Sequence, residues 1–177
     1  GSEMCIRDRI TTGTWSLQKG SDLLANVVLD DLQGSLLHVG PVGDCPLPRH
    51  PRFCHHPRVM QTKLRHFYGQ AHVFALPSRQ DGFGMVFAQA LACGLPIVGS
   101  TTSGAPDLGE WLGLAGPQVQ AVPAESTADL AEAITKALEW ARAYPARTRG
   151  QVDLSPITWQ AYGDRYARYL EGLPARV

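Results

Sequence analysis

The stretch with the most chemistry in it is Leu76-Pro-Ser-Arg-Gln-Asp-Gly-Phe-Gly-Met-Val-Phe-Ala-Gln-Ala-Leu-Ala-Cys-Gly-Leu-Pro-Ile-Val98. It reads as a strand end, a turn holding one acid and two glycines, a helix, a glycine stop and a second strand. In open α/β sheets, ligands bind outside the carboxyl ends of the strands. Gly82 and Gly84 let the backbone approach such a ligand closely. The helix start behind them presents free N–H groups and the positive end of its dipole. Asp81 and Gln89 supply side-chain acceptors for sugar hydroxyls, so a diphosphate carrying two sugars suits the arrangement. Each residue also has a plain structural role to set against this. Asp81 would cap the helix, Gln89 would lie on its less buried face, Lys19 would be a solvated charge and Phe83 would be core.

The elements around this stretch alternate. Thr11 to Trp15 is a β-branched and aromatic run, and a helix follows from Lys19-Gly20-Ser21-Asp22 to Leu32. Residues 35–39 form a short apolar strand, and residues 40–51, rich in Gly and Pro, form a loop. A brief strand over 52–55 and a helix over 61–69 come next, then the apolar strand His72-Val-Phe-Ala-Leu76. After the helix that begins near Phe83, residues 95–99 are a strand, 107–112 a short helix and 118–122 another strand. Ser126-Thr-Ala-Asp129 is a capping box before Leu130, Ile134, Ala137, Leu138 and Ala141. A last helix is expected over 156–170. Crossovers too long for hairpins imply a doubly wound α/β domain with a parallel, Rossmann-like sheet over 10–154, followed by a helix and tail over 155–177.

Pro77-Ser78, Asp81-Gly-Phe-Gly84 and Gln89-Ala-Leu-Ala-Cys-Gly-Leu-Pro-Ile-Val98, in this order, resemble the donor-binding domain of retaining bacterial sugar-nucleotide transferases of the two-Rossmann-domain (GT-B) class. The likeness extends to Gly13, Lys19-Gly20, Gly104-Ala-Pro-Asp-Leu108 and Thr158-Trp159. It implies hexosyl transfer from a nucleoside-diphosphate sugar with retention, with no metal, no cofactor and no covalent intermediate. It further implies that Lys19 meets the donor diphosphate beside Gly13 and Thr14. Gly82, Phe83 and Gly84 would meet sugar and phosphates through the backbone next to Ser78, with Asp81 on the transferred sugar. Gln89 would hold the ribose diol, and the base would lie near residues 56–59, at Val59. Asp81 and Lys19 are the expected catalytic pair. Three positions depart from the family pattern: Asp81 and Gln89 stand where it has Glu, and Thr14 where it has Arg. The last removes half of a phosphate clamp, for which Arg79 is the candidate substitute.

A chain of 177 residues, 44% hydrophobic, supports one packed domain. With 16 basic and 16 acidic residues it has no electrostatic footprint for nucleic acid. No apolar run reaches the roughly 18 residues of a membrane span, and the expectation is a cytoplasmic protein. Gly1-Ser-Glu-Met-Cys-Ile-Arg-Asp8 resembles one reading frame of a transposase adapter used in sequencing libraries, so residues 1–9 are expected to be a tail outside the fold. A preceding domain carrying the acceptor site is then the expected partner, with peripheral membrane association through that domain. Cys45, His50, Cys54, His55 and His56 raise a zinc hypothesis, but their spacing matches no common pattern and loop residues are the better reading.

A nucleotide-sugar-binding module without chemistry is the competing function, favoured by Thr14 and Gln89. An epimerase or phosphorylase on the same architecture comes third, and no lysine identifies itself as a pyridoxal-phosphate anchor. A dinucleotide oxidoreductase lacks its Gly-x-Gly-x-x-Gly turn. Trp159, Tyr162, Tyr166 and Tyr169 recur at helical spacing. At least one of these rings is expected to be exposed, with self-association as the consequence.

Overall fold

In a computed structural model, which describes residues 7–144 and 152–172, side chains alternate along the central strands between two cores. Val73 and Ala75 of β4 (Ala71–Leu76) enter one core, and Phe74 and Leu76 enter the other. Both faces of the sheet are therefore covered, which is why this strand reads as an unbroken apolar run. The sheet has six parallel strands in the order β3-β2-β1-β4-β5-β6. The others are β1 (Arg7–Thr12), β2 (Leu36–Val39), β3 (Phe53–His56), β5 (Ile97–Ser100) and β6 (Val119–Val122). The order reverses between β1 and β4, and this switch point opens a crevice at the carboxyl ends of the strands.

One face is covered by α1 (Ser21–Ala25), its wider π-helical continuation (Asn26–Asp31) and α5 (Thr127–Ala143). The Ser126 hydroxyl accepts from the Asp129 N–H and starts α5 as the capping box requires. The other face carries α2 (Gln61–Tyr68), α3 (Met85–Ala92) and α4 (Ala105–Leu112). There Phe74 sits between Tyr68 and Phe87, with ring centroids at 6.0 and 5.5 Å.

Two elements differ from the sequence reading by three residues or more. The first strand is Arg7–Thr12 rather than 11–15, so Arg7, Asp8 and Arg9 belong to the fold and not to the expected tail over 1–9. The remaining residues of that tail, 1–6, lie outside the described residues. The reason is backbone pairing: Arg9 aligns with Leu36 on one side and Val73 on the other, and the Asp8 N–H donates to the Ser35 hydroxyl at 2.9 Å. Asp8 also pairs with Arg142 of α5 at 3.1 Å. Trp15 leaves the strand and is fully buried, its indole N–H donating to the Pro46 carbonyl. The last helix, α6 (Trp159–Glu171), starts three residues later than the expected 156. Residues Ser155–Ile157 form a 3-10 turn, and the Thr158 hydroxyl caps the helix.

The aromatic stripe on α6 lies open. Trp159, Tyr162, Tyr166 and Tyr169 are 82, 52, 54 and 65% exposed, so all four meet the expectation of at least one open ring. Contiguous exposed aromatic surface drives association. Sedimentation over rising concentration is expected to show self-association of this chain, and Tyr162→Ser with Tyr166→Ser should reduce it. A strictly monomeric native chain would defeat this expectation.

Candidate functional site at the switch point

The loops after β1 and β4 meet at the crevice. Gly20 sits at φ +66°, and a Cβ there would lie 2.1 Å from the Pro77 carbonyl oxygen. Only glycine permits this approach in this conformation. The Arg79 N–H donates to the Gln18 carbonyl at 2.9 Å, fastening the two loops backbone to backbone. This contact brings Lys19 onto Asp81, Nζ to Oδ2 at 2.7 Å, both side chains being largely shielded. The Ser78 hydroxyl, fully buried, lies 3.5 Å from the same carboxylate oxygen.

Asp81 does not cap the helix that follows. No side chain caps α3; its first turn is preceded by Gly84 at φ +66°, where a Cβ would press to 2.7 Å from the Phe87 ring. The opening N–H groups of a helix have no intrahelical partner, so an anion at this end meets donors and a favourable dipole. Around Gly82 there is open space: no atom lies within 4 Å of where its Cβ would be. The side chain of Phe83 packs towards α4. Its ring stacks on Trp111 of α4 at 5.6 Å and 23°, and the Arg165 guanidinium of α6 covers that indole at 4.9 Å. Its side chain is thus a packing group, and its backbone lies against Gly104.

A second cluster lies along α3 on the β2–β3 side. A cleft of 230 Å³ is lined by Gly13, Gly40, Arg58, Val59, Val86 and Gln89 among others. Gly13, Val59 and Gln89, all candidate residues, are therefore brought together. The Gln89 carbonyl oxygen accepts from the Tyr68 hydroxyl at 3.3 Å, and that hydroxyl lies 3.0 Å from the Thr12 hydroxyl. Burial pushes the Tyr68 phenol up to about 12, so it stays a neutral donor. The Gly13 carbonyl accepts from Nε2 of the buried His38 at 2.9 Å. Thr14 is exposed and lies outside the lining of this cleft.

Arg79, the candidate substitute for the absent phosphate-clamp arginine, has its guanidinium engaged by carboxylates of the protein. Its guanidinium spans Asp22 of α1, at 2.7 and 2.9 Å, and Glu125 of the loop after β6, at 3.1 Å through one of two bonds. It also donates to the Leu17 carbonyl. The hydrogen bond from Arg79 holds the Asp22 carboxyl below the usual range. The residues raised for zinc part company. His55 faces His38, the His56 ring donates to the Pro57 carbonyl, and the Cys45 thiol to the Pro46 carbonyl. Among the described residues no group of three or more His, Cys, Asp or Glu is placed to hold a metal ion. Nor is any described helix long and apolar enough to cross a membrane.

Thr12, which lines the cleft, and Tyr68, whose hydroxyl donates to Gln89, are residues that the sequence reading missed. Nothing local marks them. Tyr68 ends an amphipathic helix and Thr12 ends a strand, and only tertiary packing brings the Tyr68 hydroxyl to Gln89 and the Thr12 hydroxyl to Tyr68.

The D-inositol 3-phosphate glycosyltransferase of Thermobifida fusca is 33% identical over 101 residues, which is 57% of this chain and 21% of that protein. That of Xylanimonas cellulosilytica is 43% identical over 49 residues, 28% of this chain and 12% of its own. The chain thus spans about a fifth or less of the length of these curated relatives. Among solved structures, the sucrose-phosphate synthase of Thermosynechococcus elongatus superposes with a TM-score of 0.67 at 23% identity, over 94% of this chain and 46% of its own. Anabaena HepE, solved in complex with UDP and glucose, gives 0.67 at 17% over 97% of this chain and 50% of its own. These likenesses show the fold. The family model described as glycosyl transferases group 1 matches residues 9–139, which take in both loops of the switch point, and the chain belongs to that family.

Proposed function

We propose that this chain forms the donor-binding half of a sugar transferase that moves a hexosyl group from a nucleoside-diphosphate sugar to an acceptor with retention. The observation that carries this reading is the meeting of Lys19 and Asp81 at 2.7 Å from loops 62 residues apart. A cation and a carboxylate side by side at the start of an uncapped helix match the two ends of a sugar diphosphate. Lys19 and the opening N–H groups of α3 would take the phosphates and stabilise the charge that develops as the diphosphate leaves. Asp81, relieved of Lys19, would accept from a sugar hydroxyl. The cleft at Gly13, Val59 and Gln89 would hold the nucleoside, Gln89 accepting from the ribose diol. The chemistry asks for no metal or cofactor. The acceptor site would belong to a further domain of a longer protein, a donor and acceptor being held together for reaction by the pair of domains.

Titration calorimetry with UDP and with uridine tests the assignment. Lys19→Ala is expected to weaken UDP by about 10- to 100-fold, the worth of a charge-assisted contact, and to leave uridine nearly unchanged. Gln89→Ala should weaken both ligands, and Gln89→Glu should bind as well or better. Equal losses of UDP and uridine at Lys19 would remove the support for the diphosphate site. Sugar transfer by this chain alone at a rate comparable with that of intact relatives would refute the division of labour.

A non-catalytic nucleotide-sugar-binding module is the second reading. It is favoured by the exposed Thr14 and by the commitment of Arg79 to two carboxylates, which leave the diphosphate fewer cations. Joined to an acceptor domain, a chain that binds UDP-glucose and transfers nothing would establish it.

A further inference from the structure

The Arg79 guanidinium is the point where three loops of the carboxyl edge come together. It grips Asp22 in α1 with two parallel bonds, takes Glu125 after β6 with two more, and reaches the Leu17 carbonyl after β1. Its own N–H holds the Gln18 carbonyl at 2.9 Å, and the Gln18 amide returns to the Gln80 carbonyl at 3.4 Å. Arg79 stands two residues before Asp81, and Asp22 stands three after Lys19. Glu125 adopts φ +70°, which a residue with a side chain occupies at a cost. That conformation persists where surrounding contacts hold it, and the grip of Arg79 is such a contact. The planar fork of an arginine suits two carboxylates at once, whereas a lysine offers a point charge.

We infer that Arg79 is a positioning residue: by clasping Asp22 and Glu125 it sets the loop of Lys19 against the loop of Asp81, and it does not itself touch the donor. This rests on the donor-site reading for its functional consequence, while the clasp itself has a consequence that needs no ligand. With both carboxylates engaged, its positive charge is matched within the protein and is not available to a phosphate. Glu125 is then a supporting residue of the site although it lies in a different loop from every candidate ligand.

Arg79→Ala, Arg79→Lys and Glu125→Gln distinguish positioning from direct contact. If Arg79 positions, Arg79→Ala should weaken UDP-glucose by about tenfold or more through misplacement of Lys19 and Asp81. Glu125→Gln should weaken it too, by less, and Arg79→Lys should fall between native and Arg79→Ala. If Arg79 were instead a phosphate ligand, Glu125→Gln would release it and remove a negative charge, so binding would tighten; that result overturns the inference. Amide hydrogen exchange without ligand gives the independent arm. The Lys19 and Asp81 amides, which donate to the Ser16 and Thr102 carbonyls, should exchange faster in Arg79→Ala and, to a lesser degree, in Glu125→Gln. Native protection in Arg79→Ala would overturn the clasp. A native chain that binds neither UDP nor UDP-glucose, yet loses protection on Arg79→Ala, would sink the donor-site reading and leave the clasp standing.

Discussion

Gly20→Ala is expected to cost about 3 kcal/mol, from a left-handed backbone worth about 1–2 kcal/mol against alanine and a steric overlap worth about 1–3 kcal/mol. The methyl would lie 2.1 Å from the Pro77 carbonyl oxygen and 2.9 Å from its carbon, so backbone and not a pliant side chain must move. The loop that moves carries Ser78 and Asp81, and the loop that pushes carries Lys19. The substitution should therefore lower nucleoside-diphosphate affinity as well as the urea midpoint. Gly82→Ala is the matched control, because its Cβ would enter open space at a negative φ; its stability should change by less than about 1 kcal/mol. Equal midpoints for Gly20→Ala and the native chain would mean that these loops do not pack as described.

The second large effect is on acid stability, through His38. This ring is 1% exposed on β2, donates from Nε2 to the Gly13 carbonyl and faces His55 Nδ1 across 2.9 Å from its own Nδ1. Burial, before any other cause, lowers its pKa to about 4, with the neighbouring His55 acting in the same direction. With Nε2–H committed to a carbonyl, His38 Nδ1 is the acceptor and His55 supplies the proton between them. A further proton on His38 would place a charge in the buried interior beside the His55 ring. In the unfolded chain the ring binds its proton near pH 6.5, and in the folded chain only near pH 4. Between those values the unfolded state holds more protons, so stability is full above pH 6.5 and falls as pH drops towards 4. The loss is about 3 kcal/mol over that window. Urea unfolding at pH 7 and pH 4.5 should show a larger drop for the native chain than for His38→Gln. Matching drops would mean that His38 does not resist protonation. Since its partner is the Gly13 carbonyl, nucleotide affinity should decline over the same range.

Most of the sheet was legible because its strands are covered on both faces: the runs at 72–76 and 95–99 need no alternation to be recognised. The start of β1 was not, because Arg7, Asp8 and Arg9 join by backbone pairing while their side chains break the apolar pattern. In the site, Lys19 and Asp81 could be matched because each lies in a short motif with glycine beside it, and Gly20, beside Lys19, is where the two loops touch. The side chain of Phe83 was harder to place. Its partner Trp111 is distant in sequence, and a phenylalanine between two glycines gives no direction. Arg79 was offered as a phosphate ligand on the strength of its charge; only the fold reveals that two carboxylates already surround it. Tyr68 behind Gln89 was invisible for the same reason.

The first strand of the chain lies in the middle of the sheet. It is synthesised before the other five strands of this sheet, yet its two neighbours are Leu36–Val39 and, much later, Ala71–Leu76. Neither pairing is local, so closing the centre of the sheet must await a long stretch of chain, with the loop-closure entropy that entails. Folding should accordingly be slow for a domain of this size, governed by separation along the chain more than by helix propensity. Until β4 arrives, β1 and β2 present an open parallel edge and a half-covered apolar face, the state most open to wrong pairing with another copy. Refolding yield should then depend on protein concentration more steeply than the stability of the finished fold would suggest.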